Sequence, residues 1–92
     1  MAKYWLIKVY GIVQGVNFRY NTKERADKLG LRGTVKNLGD GSVEICISGS
    51  DESIKNLINW LKSSPNSCKV SKVIVDKLEN DKNIYNDFKI VF

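Results

Sequence analysis

The sequence predicts an α+β sandwich, with two helices packed on one face of an antiparallel sheet in the order β-α-β-β-α-β plus a short last strand. Three observations carry this. Ile54, Leu57, Ile58 and Leu61 recur at i, i+3, i+4 and i+7, which makes one apolar helix face. Val43, Ile45 and Ile47 alternate with Glu44, Cys46 and Ser48, as in a strand packed on one side and open to water on the other. Asp40-Gly41 separates that strand from the apolar run before it, which is a hairpin signal.

The first strand covers 4–10, aromatic and β-branched and apolar on both faces apart from Lys8, which suits a central place in a sheet. A loop from Gly11 to Asn17 follows. The first helix opens with Asn17 as N-cap and runs to Leu29, with Phe18, Thr22, Ala26 and Leu29 toward the core and Gly30 ending it. Strand two is 31–37 and strand three 42–48. The second helix starts at Ser50-Asp51-Glu52-Ser53, where early acids suit the positive end of a helix, and Trp60 sits at the edge of its apolar stripe. Residues 63–69, with the only proline, form a loop before strand four at 70–78. A polar turn over 79–86 precedes a last strand at 88–92. Right-handed crossovers then place strand three between strands one and two. The C-terminal ends of strands one and two emerge at the same sheet edge, so Arg19 and Asn37 converge on one cleft. Asn37 shares the helix-side face with Val35, while Thr34 and Lys36 face away.

The stretch from Gly11 to Arg19 carries the chemistry. Two glycines, Gly11 and Gly15, admit positive φ and close backbone approach. N–H groups of such a turn can converge on an anion, and the positive end of the following helix points at the same place. Arg19 adds a planar fork of donors suited to phosphate oxygens. On the residues alone this is either an anion site or an ordinary strand-to-helix turn with a surface arginine; Asn37 alone is either a catalytic amide or a turn residue.

Gly11-Ile12-Val13-Gln14-Gly15-Val16-Asn17-Phe18-Arg19 resembles the acylphosphatase signature G-x-V-Q-G-V-x-F-R. A second block, Gly33-Thr34-Val35-Lys36-Asn37-Leu38-Gly39-Asp40-Gly41-Ser42-Val43 and then Gly49, resembles that family's G-aromatic-V-K-N-x-x-x-G-x-V…G segment, with Thr34 in place of the usual aromatic. The resemblance spans nearly the whole chain. It implies the ferredoxin-like α/β sandwich and hydrolysis of small acyl phosphates by direct water attack. It also implies that a loop of Val13, Gln14, Gly15, Val16, Asn17 and Phe18 binds phosphate with Arg19, while Asn37 orients the water. Members work without a metal or organic cofactor, and inorganic phosphate or sulfate is expected to compete. The chemistry agrees: a carboxylate leaves phosphorus readily, so positioning and charge stabilisation suffice without a nucleophilic side chain.

With 92 residues, positions 1–92 read as a single domain. The net charge of +5 fits either an anionic partner or a need for solubility. The chain has no histidine, which removes the commonest general base and metal ligand. Cys46 and Cys68 form no C-x-x-C pair and read as free thiols of a reducing compartment, with a disulfide between them as the lesser alternative. No apolar run is long enough to span a bilayer and the first residues are no signal peptide, so the expectation is a cytoplasmic chain without a membrane; its size and the family resemblance imply a monomer. Two rivals are a non-catalytic phosphate- or acyl-phosphate-sensing domain and an RNA-binding module of the same element order. RNA modules stack bases on aromatics of the central strands. Here strand three offers Glu44, Cys46 and Ser48, and Tyr4 and Tyr10 make a poor platform, so nucleic acid is not expected as a partner.

Overall fold

The computed structural model describes residues 3–15, 17–64, 68–79 and 87–91. Its elements are β1 (Lys3–Ile12), α1 (Phe18–Lys28), β2 (Arg32–Asn37), β3 (Val43–Ser48), α2 (Asp51–Lys62), β4 (Lys69–Glu79) and β5 (Phe88–Val91). The sheet order is β4-β1-β3-β2-β5. β3 lies between β1 and β2 as expected, and β1 is paired on both sides. One feature departs from a purely antiparallel sheet: β5 joins the edge of β2 in parallel.

The alternation read in the sequence becomes one buried face. Ile7, Ile45 and Val35 stand in one cross-strand rank, with Ile90 of β5 beyond them. Val9 and Val43 stand in the next rank, which ends in Asn37. Against this face α2 packs Ile54, Leu57, Ile58 and Leu61, all buried, and α1 packs Phe18, Thr22 and Ala26. Removing such side chains from water is the main favourable contribution to folding, about 1.5–3 kcal/mol for each large aliphatic one.

The helix ends are set locally. Ser50 caps α2 by accepting a hydrogen bond from Ser53 N at 3.1 Å, and Asp51 and Glu52 occupy the first turn. α1 ends in a Schellman arrangement: Leu31 N donates to Ala26 O at 2.9 Å and Gly30 N to Asp27 O at 3.1 Å, with Gly30 at φ 71. Trp60 packs partly against the core, and the Arg25 guanidinium lies 5.4 Å from its ring centroid.

Two expectations need correction. Gly11 and Ile12 belong to β1, paired with Val70 and Lys69, and are not loop residues. The register shifts between Tyr10 and Gly11, and at φ 133 a Cβ on Gly11 would stand 2.0 Å from Lys69 O. The glycine therefore serves a bulge against β4, not the anion loop. Lys69 and Glu79, read as loop and turn, likewise extend β4. The rest of the polar turn, at 80–86, lies outside the described residues, as do 65–67 of the proline-containing loop and Phe92 of the last strand.

Gly33 shows how tightly β2 and β3 approach. At φ 145, a Cβ there would come 1.8 Å from Cys46 O, which is ladder backbone that cannot move aside. Gly33→Ala is expected to lower the unfolding free energy by about 3 kcal/mol. Denaturant titration checks this; a loss under about 1 kcal/mol would show that the strands separate more readily than their packing implies.

Candidate active site

The hairpin between β2 and β3 brings the two halves of the site together. Gly41 N donates to Leu38 O at 3.2 Å and Leu38 N to Ser42 O at 2.8 Å. Asp40 Oδ1 accepts from Ser42 N at 3.0 Å and from the Ser42 hydroxyl. These bonds hold the Asp40 carboxyl below its usual range, the Ser42 hydroxyl first and its backbone N–H second. Gln14 then fastens the loop after β1 onto this turn. Its Nε2 donates to Leu38 O at 3.0 Å and to Ser42 O at 2.8 Å.

A cleft of about 350 Å³ opens beside that joint, lined by Val13, Gly15, Asn17, Phe18, Arg19, Tyr20, Asn37 and Ile90. Arg19 and Asn37, distant in sequence, thus face one space. Asn37 is the exposed end of the rank that begins with buried Val9 and Val43, so strand register aims it at the cleft. Arg19 enters from the first turn of α1, and its Nη1 donates to Val91 O of β5 at 3.2 Å. A guanidinium carries five N–H donors in a rigid fork, and this bond ties that fork to β5.

Between them, Gly15 (φ 77) and Asn17 (φ 58) both take left-handed backbone. α1 begins directly after, and its first bond within the helix is Asn21 N to Asn17 O at 3.0 Å. The N–H groups of the first turn therefore point out of the helix end toward the cleft. No acid lies in that turn to offset its partial positive charge. Asn17 occupies the N-cap position, but its side chain makes no capping bond, contrary to expectation. A capping side chain needs extended backbone to reach back over the first turn, and φ 58 denies it that.

Among the predicted loop residues, Val13, Gly15, Asn17 and Phe18 line the cleft, with Val13 and Phe18 buried beneath it. Gln14 does not line it; its amide is spent on the hairpin. Val16 lies outside the described residues. Sequence reasoning missed Tyr20 and Ile90 as lining residues and the Val91 carbonyl as a partner of Arg19. Tyr20 follows Arg19 and could have been suspected as an aromatic on a polar helix face; nothing in a sequence marks a main-chain acceptor. Among the described residues no group of three or more His, Cys, Asp or Glu could hold a metal ion, and no helix is long and apolar enough to cross a membrane. Cys46 is partly exposed and Cys68 is buried, and burial pushes the Cys68 thiol up.

The acylphosphatase family model matches residues 5–90. An acylphosphatase of Aeromonas hydrophila is 48% identical over 69 residues, covering 75% of this chain and 77% of the relative. The crystal structure of acylphosphatase from Bacillus subtilis superposes with a TM-score of 0.90 at 34% identity, covering 98% of this chain and 99% of that one. An acylphosphatase structure from Coxiella burnetii gives a TM-score of 0.88 at 35% identity, covering 98% and 94%.

Gln14→Ala removes both bonds between loop and hairpin and is expected to cost about 1–2 kcal/mol of stability; a midpoint unchanged in urea would show that the joint is idle. Asp40 adds a pH dependence. Because its folded carboxyl sits low, its contribution is present above the ordinary carboxylate range and fades as pH falls through the depressed value. Melting temperatures of wild type and Asp40→Asn should therefore differ most near neutrality and converge between about pH 5 and 2. A gap independent of pH would reject this role.

Proposed function

The chain belongs to the acylphosphatase family, and from that premise we propose how its cleft divides the work. The activity is that of an acylphosphatase: hydrolysis of the carboxyl–phosphate bond of a small acyl phosphate. In our reading, backbone N–H groups around Gly15, Asn17 and Phe18, together with Arg19, hold the phosphoryl oxygens. The Asn37 amide accepts a hydrogen bond from a water and directs its oxygen at phosphorus. The P–O bond to the carboxyl breaks as the water oxygen bonds to phosphorus. The carboxylate departs without needing a proton, and the water's protons pass to phosphate oxygen and solvent.

The observation that supports this most is that Arg19 and Asn37 line one cleft with the left-handed Gly15 and Asn17. Such a site supplies positioning and fixed positive charge, the two things phosphoryl transfer requires most. The same reading takes residues 1–92 as one domain acting as a cytoplasmic monomer. It needs no metal and admits inorganic phosphate or sulfate as a competing anion.

The test is acetyl phosphate hydrolysis with chelator present. Arg19→Ala should lower kcat/KM by about 100- to 1,000-fold and weaken phosphate inhibition with it. Asn37→Ala should lower kcat by about 100-fold while phosphate inhibition holds within about threefold, because this amide holds water more than substrate. Turnover unchanged in Asn37→Ala would remove it from the mechanism, and loss of activity on chelation would overturn the metal-free reading.

A further inference from the structure

We propose that β4 is a docking edge for a second copy of this chain, the two β4 strands pairing antiparallel about a two-fold axis at Ile74 to make one continuous sheet. This goes beyond the reading of the cleft and leaves it intact, because Asn37 and Ile90 line that cleft from β2 and β5, at the other side of the sheet from β4. Each chain keeps a complete site. The single chain remains the acting unit, and pairing is a reversible association at higher concentration.

Among the described strands β4 has only β1 beside it, yet at 11 residues it is the longest strand of the sheet. An edge strand carries a row of N–H and C=O groups without ladder partners, and native proteins blunt such edges with shortness, bulges or charge. The opposite edge, β5, has four residues. In β4 the bulge sits at one end, where the register passes from Tyr10–Lys72 to Gly11–Val70 and skips Ser71. Beyond it Val73, Ile74 and Val75 are apolar on both faces and each half-buried, the pattern of a strand with a neighbour on either side.

Charge selects both the occupant and the register. Lys72 and Asp76 are exposed and share a face with Ile74, beside Tyr10, Leu6 and Lys8 of β1. Four positions along one strand, they stand about 13 Å apart, and neither forms an ion pair among the described residues. In an antiparallel pair centred on Ile74, Lys72 of each copy stands opposite Asp76 of the other at about 5 Å. Val73 then faces Val75 on the reverse side. Centring on Val73 or Val75 instead would set Lys72 or Asp76 against Ile74. Lys77 falls opposite Ser71 and is engaged in its own chain, with its Nζ 5.2 Å from the Trp5 ring centroid and 4.0 Å from Asp51 Oδ2. A net charge of +5 makes two copies repel over most of their surface, so a stretch carrying its own opposite charges is where they meet. The axis runs normal to the sheet and keeps both helix layers on one side, so the contact is isologous and closes at two copies.

The experiment is sedimentation velocity on the full chain from about 1 to 500 µM, with circular dichroism to check that each variant folds. Wild type should pass from monomer to dimer across this range. Lys72→Asp and Asp76→Lys each set like charges opposite one another and should raise the midpoint by about tenfold or more. Both changes in one chain should return it to within about threefold of wild type. Ile74→Lys brings two cations face to face at the axis and should leave a folded monomer. Wild type that stays monomeric throughout, a dimer that neither reversal weakens, a double variant that fails to recover, or growth past two copies each overturns the proposal. None of these outcomes touches acetyl phosphate turnover by the single chain, on which the reading of the cleft is tested.

Discussion

The pairing of Val9 with Val43 and of Val43 with Asn37 is the constraint on which the rest depends. Two of these side chains are fully buried beneath the helices, and the third is exposed at the end of the same rank. Side chains alternate along a strand, so a one-residue slip would expose the core and turn the amide to the opposite face. The hydrophobic energy that fixes the register therefore also aims Asn37. Since β1 and β2 both run antiparallel to β3, the same register brings the loop after β1 beside the end of β2.

The two helices illustrate a second constraint. α2 satisfies its own N-terminus with the Ser50 side chain and the acids Asp51 and Glu52. α1 has neither a capping side chain nor an early acid, and the loop leads into it through left-handed Asn17. One fold thus holds a helix end closed for stability beside one left receptive to an anion. Gln14 spends its amide elsewhere, fastening the loop to the hairpin so that the receptive end keeps its place.

Much of this was legible in the sequence because it rests on local chemistry. The α2 stripe, the Ser50 cap, the Gly30 stop and the alternation through Val43, Ile45 and Ile47 each depend on neighbours in the chain, and each stands where the pattern put it. The meeting of Arg19 and Asn37 followed from topology and strand parity. What could not be read depends on distant backbone. Gly11 reads equally as loop or bulge until Lys69 is known to lie against it. The Gln14 acceptors and the Val91 carbonyl are main-chain oxygens, which every residue carries. Asn17 reads as a capping side chain because its residue type suits that task; its φ of 58 takes it out of that role.

The tether from Arg19 to β5 bears on how the molecule comes into being during synthesis. A nascent chain that has emerged from the ribosome only as far as β4 already contains the loop, α1 and Asn37, yet it lacks the carbonyl that steadies the guanidinium and the Ile90 wall. The final strand thus contributes both to the core, through Phe88, and to the cleft, through Ile90.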